Sequence, residues 1–112
     1  MKNNLANKKC IPCEGDIKPM TKSQAEKLMK EIPEWTLDAS AKKIAKEFVF
    51  KNFMKALDFI QWVADIAETE GHHPDIFISY NKVTLTLFTH AVGGLSENDF
   101  IVAAKIDEIP KF

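Results

Sequence analysis

The sequence predicts an α+β fold: a four-stranded antiparallel sheet with three helices packed on one face, in the order α-ββ-α-ββ-α. Three observations lead there. A long helical pattern over Phe53–Glu70 has a good capping residue before it and a glycine after it. Two pairs of alternating apolar and polar stretches stand on either side of that pattern. Capping-box sequences open a further helix near each end of the chain. Antiparallel hairpins that bury one face beneath helices give a two-layer sandwich.

The elements follow in chain order. Residues 1–19 are polar, lysine-rich and interrupted by Pro12, Gly15 and Pro19. They read as a tail or loosely docked arm ahead of a single domain at 20–112. Thr21 and Gln24 form a capping box, and the first helix is expected from about Lys22 to Glu31. Ala25, Leu28, Met29 and Ile32 supply its apolar stripe, and Pro33 stops it. Trp35-Thr36-Leu37-Asp38 alternates as a short strand, residues 39–42 turn, and Ile44–Phe50 is its partner. Asn52 caps the long helix, whose face is read as Phe53, Leu57, Ile60, Ala64 and Ala67, and Gly71 ends it in left-handed backbone. A second hairpin pairs residues 75–80 with 83–90 about a two-residue turn at Asn81-Lys82. Gly93-Gly94 breaks the chain. Ser96 then caps the last helix with Asp99 three residues on, and Ile109-Pro110 ends it.

Bulk properties narrow the function. A chain of 112 residues, 46% hydrophobic and 28% charged, makes one globular domain with a modest core. A formal charge of -1 provides no drive toward nucleic acid or an anionic membrane. Every cation is lysine, so the arginine fork that reads guanine or grips phosphate is missing. No apolar run approaches the roughly 20 residues that span a bilayer. The first residues lack the apolar stretch of a signal peptide, and a cytoplasmic location is the expectation. Cys10-Ile11-Pro12-Cys13 is a lone C-x-x-C. A structural zinc needs four ligands, and the histidines lie some sixty positions away.

All three histidines fall in one supersecondary unit: His72 and His73 after the long helix, and His90 at the end of the hairpin that follows. Pro74 pushes His73 toward extended backbone, and Gly71 lets the chain leave the helix sharply. With residues 80 and 83 paired across the turn, His90 falls opposite position 73. Side chains that titrate near neutral pH, brought together this way, suit acid/base chemistry. A three-histidine zinc site competes, but adjacent ligands on extended backbone point apart.

Glu68-x-x-x-His72-His73-Pro74, Tyr80-Asn81-Lys82-Val83, Thr89-His90 and Gly94-Leu95-Ser96-Glu97-x-Asp99 together closely resemble the pterin-4a-carbinolamine dehydratases. The resemblance runs from about Met20 to Ile109, with Trp35 and residues 48–53 also in the family's style. Family members often carry a short cysteine-containing arm as well. The resemblance implies a lyase that removes water from a 4a-hydroxytetrahydropterin to give quinonoid dihydropterin, recycling the cofactor of pterin-dependent hydroxylases such as phenylalanine hydroxylase. It implies no redox cofactor and no metal. His72 and His90 are then expected around the 4a-hydroxyl, with His73 positioning the pterin or assisting. Asp99 and Glu68 orient imidazoles, Trp35 walls the ring, and Thr89 and Tyr80 complete the set. The family also implies a homodimer or homotetramer. Its alternative role is a dimerisation cofactor of a homeodomain transcription factor, and a lesser variant serves another pterin, as in a molybdopterin route.

Overall fold

The computed structural model describes residues 5–11 and 18–110. Its elements are α1 (Lys22–Met29), β1 (Thr36–Leu37), β2 (Ile44–Val49), α2 (Phe53–Glu70), β3 (Asp75–Ser79), β4 (Lys82–Leu87) and α3 (Glu97–Asp107). Single 3-10 turns lie at Leu5–Asn7 and His90–Val92. The four strands form one antiparallel sheet in the order β1-β2-β4-β3, as the hairpin reading requires. β2 and β4 are central. Ile44, Val83, Leu85 and Leu87 point from them into the core.

Capping acts as the residue types predict. Gln24 N–H donates to the Thr21 hydroxyl, and the Thr21 N–H donates to the Gln24 side chain. Asn52 Oδ1 accepts the Lys55 N–H at 2.9 Å. Gly71 closes α2 at φ 66°, and both its N–H and that of His72 reach the Ala67 carbonyl. α2 seats Phe59 between Phe48 of β2 and Phe50 just beyond its end, with ring centroids 4.6 and 4.9 Å away.

Three local readings need correction. The hairpin pairs Ser79 with Lys82, so Tyr80-Asn81 forms the turn rather than Asn81-Lys82. Asn81 is tied to the end of β2: its carbonyl accepts Phe50 N–H and its Nδ2 donates to Phe50 O, both at 2.8 Å. The positive φ, 52°, therefore falls on Tyr80. Secondly, α2 buries Ala56, Phe59, Val63 and Ala67, a stripe rotated from the one expected. Phe53, Met54 and Trp62 remain exposed. Both stripes are apolar, so periodicity alone could not choose between them.

The third concerns the N-terminus. Leu5 and Ala6 are buried in contact with the core, and residues 5–11 lie along α3. The reason is visible in α3: Phe100, Ile101, Val102, Ala103, Ala104 and Ile106 are all buried. A helix apolar around its whole circumference needs cover on every side. Burying a leucine contributes about 1.5–3 kcal/mol, which acts together with the arm's hydrogen bonds to α2 and α3 against the cost of ordering it. Cys13 lies outside the described residues.

Candidate active site

The site forms where α2 ends, β3 begins and α3 starts. Gly71 turns the chain off α2, which sets His72 and His73 at a corner. Thr89 pairs with Gly94 as an isolated bridge, closing the loop that carries the His90–Val92 turn. His72, His73 and His90 line one cleft of about 610 Å³, together with Gly71, Pro74, Phe88 and Thr89. That volume lies within the usual range for small-molecule sites. His90 arrives there from beyond the end of β4. The observed register differs by two residues from the expected one, which preserves the face and therefore the juxtaposition.

Asp99 organises the centre. It is 0% exposed, and its two oxygens are fully engaged. Oδ1 lies 2.6 Å from His72 Nε2. Oδ2 accepts the Thr89 hydroxyl at 2.8 Å and the Ser96 N–H at 3.0 Å. Thr89 Oγ1 also lies 2.8 Å from the Ser96 hydroxyl. The carboxylate that completes the capping box of α3 is thus the same one that holds the histidine. A carboxylate at Nε2 draws the ring proton to that nitrogen and leaves the Nδ1 lone pair for another partner. His73 has a parallel but solvated arrangement, its Nε2 lying 2.6 Å from Glu68 Oε2. The two neighbouring rings therefore face different carboxylates. His90 packs against Phe88 with centroids 4.2 Å apart, and Lys43 Nζ stands 4.7 Å over the Phe88 ring.

Of the residues expected in the site, His72, His73, His90 and Thr89 line the cleft, while Asp99 and Glu68 hold its imidazoles. Two are not brought there within this chain. Trp35 is buried against Phe48, and its Nε1 donates to Asp107 at 3.0 Å. Asp107 lines a separate groove of about 530 Å³ with Phe48 and Phe59. Tyr80 is 64% exposed at the hairpin tip. Five residues of strand, about 17 Å, separate it from Asp75 at the cleft.

Sequence reasoning missed Cys10, Ile11, Phe88 and Asn98, which also line the cleft, as does Glu70 at the end of α2. Burial, and secondarily the Glu70 charge, push the Cys10 thiol up to about 12. It is a neutral thiol at pH 7, not a nucleophile or ready ligand. Among the described residues, no three His, Cys, Asp or Glu side chains converge as metal ligands would.

An α+β domain with a carboxylate-supported histidine cleft is the class that the fold and site define. A sequence profile of the pterin 4 alpha carbinolamine dehydratase family matches residues 18–109. A relative from Halorhodospira halophila that carries the family's name is 45% identical over 106 residues, covering 95% of this chain and 97% of its own. The Arabidopsis thaliana protein named pterin-4-alpha-carbinolamine dehydratase 2, mitochondrial, is 47% identical over 95% of this chain and 59% of its own. A crystal structure of a transcriptional coactivator/pterin dehydratase from Brucella melitensis superposes with a TM-score of 0.76 at 32% identity, over 80% of this chain and 96% of that one. The chain belongs to the pterin 4 alpha carbinolamine dehydratase family.

Among the described residues, no helix is long and apolar enough to cross a membrane.

Proposed function

We propose that this protein dehydrates 4a-hydroxytetrahydropterin to quinonoid dihydropterin and water by histidine acid/base catalysis. The observation that carries the reading is the buried Asp99–His72 pair, opening on a cleft shared with His73 and His90. The reaction breaks the C4a–O bond and removes a proton from the adjacent ring nitrogen. The leaving oxygen takes a proton and departs as water. One histidine gives that proton and another base takes the ring-nitrogen proton, so the site ends with its protons redistributed and no electron transferred. General acid/base groups of this kind contribute about 10²–10⁴-fold each. His72 and His90 are assigned to the transfers around the 4a-hydroxyl. His73, held by Glu68, positions the heterocycle or assists, and Thr89 supports Asp99 from the other side.

This reading places the protein in the cytoplasm beside a pterin-dependent hydroxylase, phenylalanine hydroxylase being the expected one, whose product it would consume. The test is the ultraviolet decay of 4a-hydroxytetrahydropterin generated by a coupled hydroxylase. Faster decay with the protein present is the expected result. No acceleration would remove the reading.

A second reading, assembly, rests on a different observation. α2 presents Phe53, Met54 and Trp62 to solvent, and β3 is an edge strand exposing Ile76 and Phe77. Apolar faces and open edges of this kind suit a homodimer or homotetramer, and a helix face of the same sort could serve a transcription-factor partner. Light scattering on a size-exclusion column tests the self-assembly: a monomer at micromolar concentration would count against it.

A further inference from the structure

The N-terminal arm is held by polar side chains from the same two helices that build the histidine site. Lys105 Nζ donates to the Ala6 carbonyl at 2.8 Å. Glu70 Oε1 accepts the Cys10 N–H at 2.9 Å. Asn98 grips Ile11 on both sides, with Oδ1 accepting its N–H at 3.1 Å and Nδ2 donating to its carbonyl at 2.6 Å. The Cys10 thiol donates to the Asn98 carbonyl at 3.7 Å. Asn98 is buried, as is the Glu70 carboxylate, and buried polar groups need partners. The main chain of the arm supplies those partners, so its register is set residue by residue.

That clamp places Cys10 and Ile11 on the wall of the cleft that holds His72, His73 and His90. It also leaves the Ile11 side chain outside the core: Ile11 is 67% exposed, although its main chain is bound at both N–H and C=O. An apolar side chain carried on a main chain fixed at the rim of a small-molecule cleft offers a contact surface for a flat heterocycle. The fixed main chain matters because a mobile segment would lose more entropy on binding.

The geometry points to Ile11 as a substrate-positioning residue that packs against the bound pterin, with Asn98 holding it in place. The inference rests on the dehydratase reading. It adds that the arm shapes ground-state binding and does not enter the proton transfers.

Steady-state kinetics of the full-length protein test it. Ile11→Ala is expected to raise KM about three- to tenfold, the factor given by one or two lost methylene contacts, with kcat within about twofold. Ile11→Leu restores most of the loss. Asn98→Ala, which frees the arm and leaves Ile11 intact, is expected to raise KM in the same direction and to speed amide exchange at Cys10 and Ile11. Because Ile11 is exposed, its variants fold, so a result on them stands even if Asn98→Ala is unstable. An active wild type whose Ile11→Ala variant keeps its KM, or loses kcat alone, overturns the inference and leaves the dehydratase reading intact. A wild type that does not accelerate decay overturns the dehydratase reading, and the inference with it.

Discussion

Replacing Asp99 with asparagine separates the carboxylate's charge from its shape. The wild-type carboxylate takes three hydrogen bonds in a fully buried place, from His72 Nε2, the Thr89 hydroxyl and the Ser96 N–H. Asparagine is nearly isosteric but has one acceptor oxygen and one NH₂ group. Thr89 and Ser96 converge as donors on one oxygen, so the amide oxygen takes that position and the NH₂ turns toward His72. Two donors cannot share a 2.6 Å contact, and the His72 proton must move to Nδ1. The Nδ1 lone pair that the wild-type carboxylate leaves for another partner then carries a proton instead. An amide behind a catalytic histidine fixes the wrong tautomer in this way. Loss of one general acid/base group predicts a fall in kcat of about 10²–10⁴-fold. Replacing charge-assisted bonds with neutral ones costs about 1–3 kcal/mol of stability, or roughly 4–8 °C in Tm per kcal/mol for a domain of this size. Single-turnover decay of the 4a-hydroxy substrate measures the first quantity and thermal unfolding followed by circular dichroism the second. A folded variant whose rate stays within threefold of wild type would refute the catalytic part of the argument. Asp99→Ala makes a useful contrast, because it strands the donors altogether and should cost about 3–5 kcal/mol.

Other expected outcomes follow from single observations. His72→Ala and His90→Ala should each lower kcat about 10²-fold or more in the same assay, and His73→Ala, whose pair with Glu68 is solvated, should lower it less; wild-type rates in either of the first two remove that assignment. Gly71→Ala should destabilise by about 1–2 kcal/mol in urea titration, because φ 66° disfavours a Cβ while nothing within 4 Å would contact it; an unchanged midpoint would refute the backbone argument. The Cys10 thiol has an ordinary value of 9.0 and is raised to about 12 in the fold, so its contribution to stability is intact below pH 9 and is lost as pH rises toward 12. Comparing alkaline unfolding of wild type and Cys10→Ala checks this: the variant should lose less stability across that window, and parallel curves would contradict it.

Several features depend only on neighbours in sequence, and these were legible. Asn52 and Gly71 bound α2 as read, because caps and left-handed stops are satisfied within one turn. The α+β order and the antiparallel sheet followed from alternating periods and short connections. The histidine cleft was legible too, since a single hairpin was enough to return His90 to the end of α2. The particular shape of the site was not. Trp35 and Tyr80 belong to the resemblance with the family, yet one is packed at the far corner against Asp107 and the other caps the hairpin tip. Neither outcome is encoded in a local pattern.

By itself the sequence determined the order of helices and strands, the caps that bound α2, and that its titrating side chains would meet. Only the tertiary structure decided what each is held by. Asp99 could serve as a helix cap on any surface helix; its burial under Thr89, with His72 opposite, makes it the anchor of the site. Likewise, α2 carried two apolar stripes, and the sheet selected one. The segment Leu5–Ile11 reads as a tail or a loosely docked arm, and the all-round apolar α3 beside it shows why it docks. Local structure follows from bonds a few residues apart. Burial is a property of the whole fold, and whether a residue is buried decides whether it stabilises, binds or stays exposed.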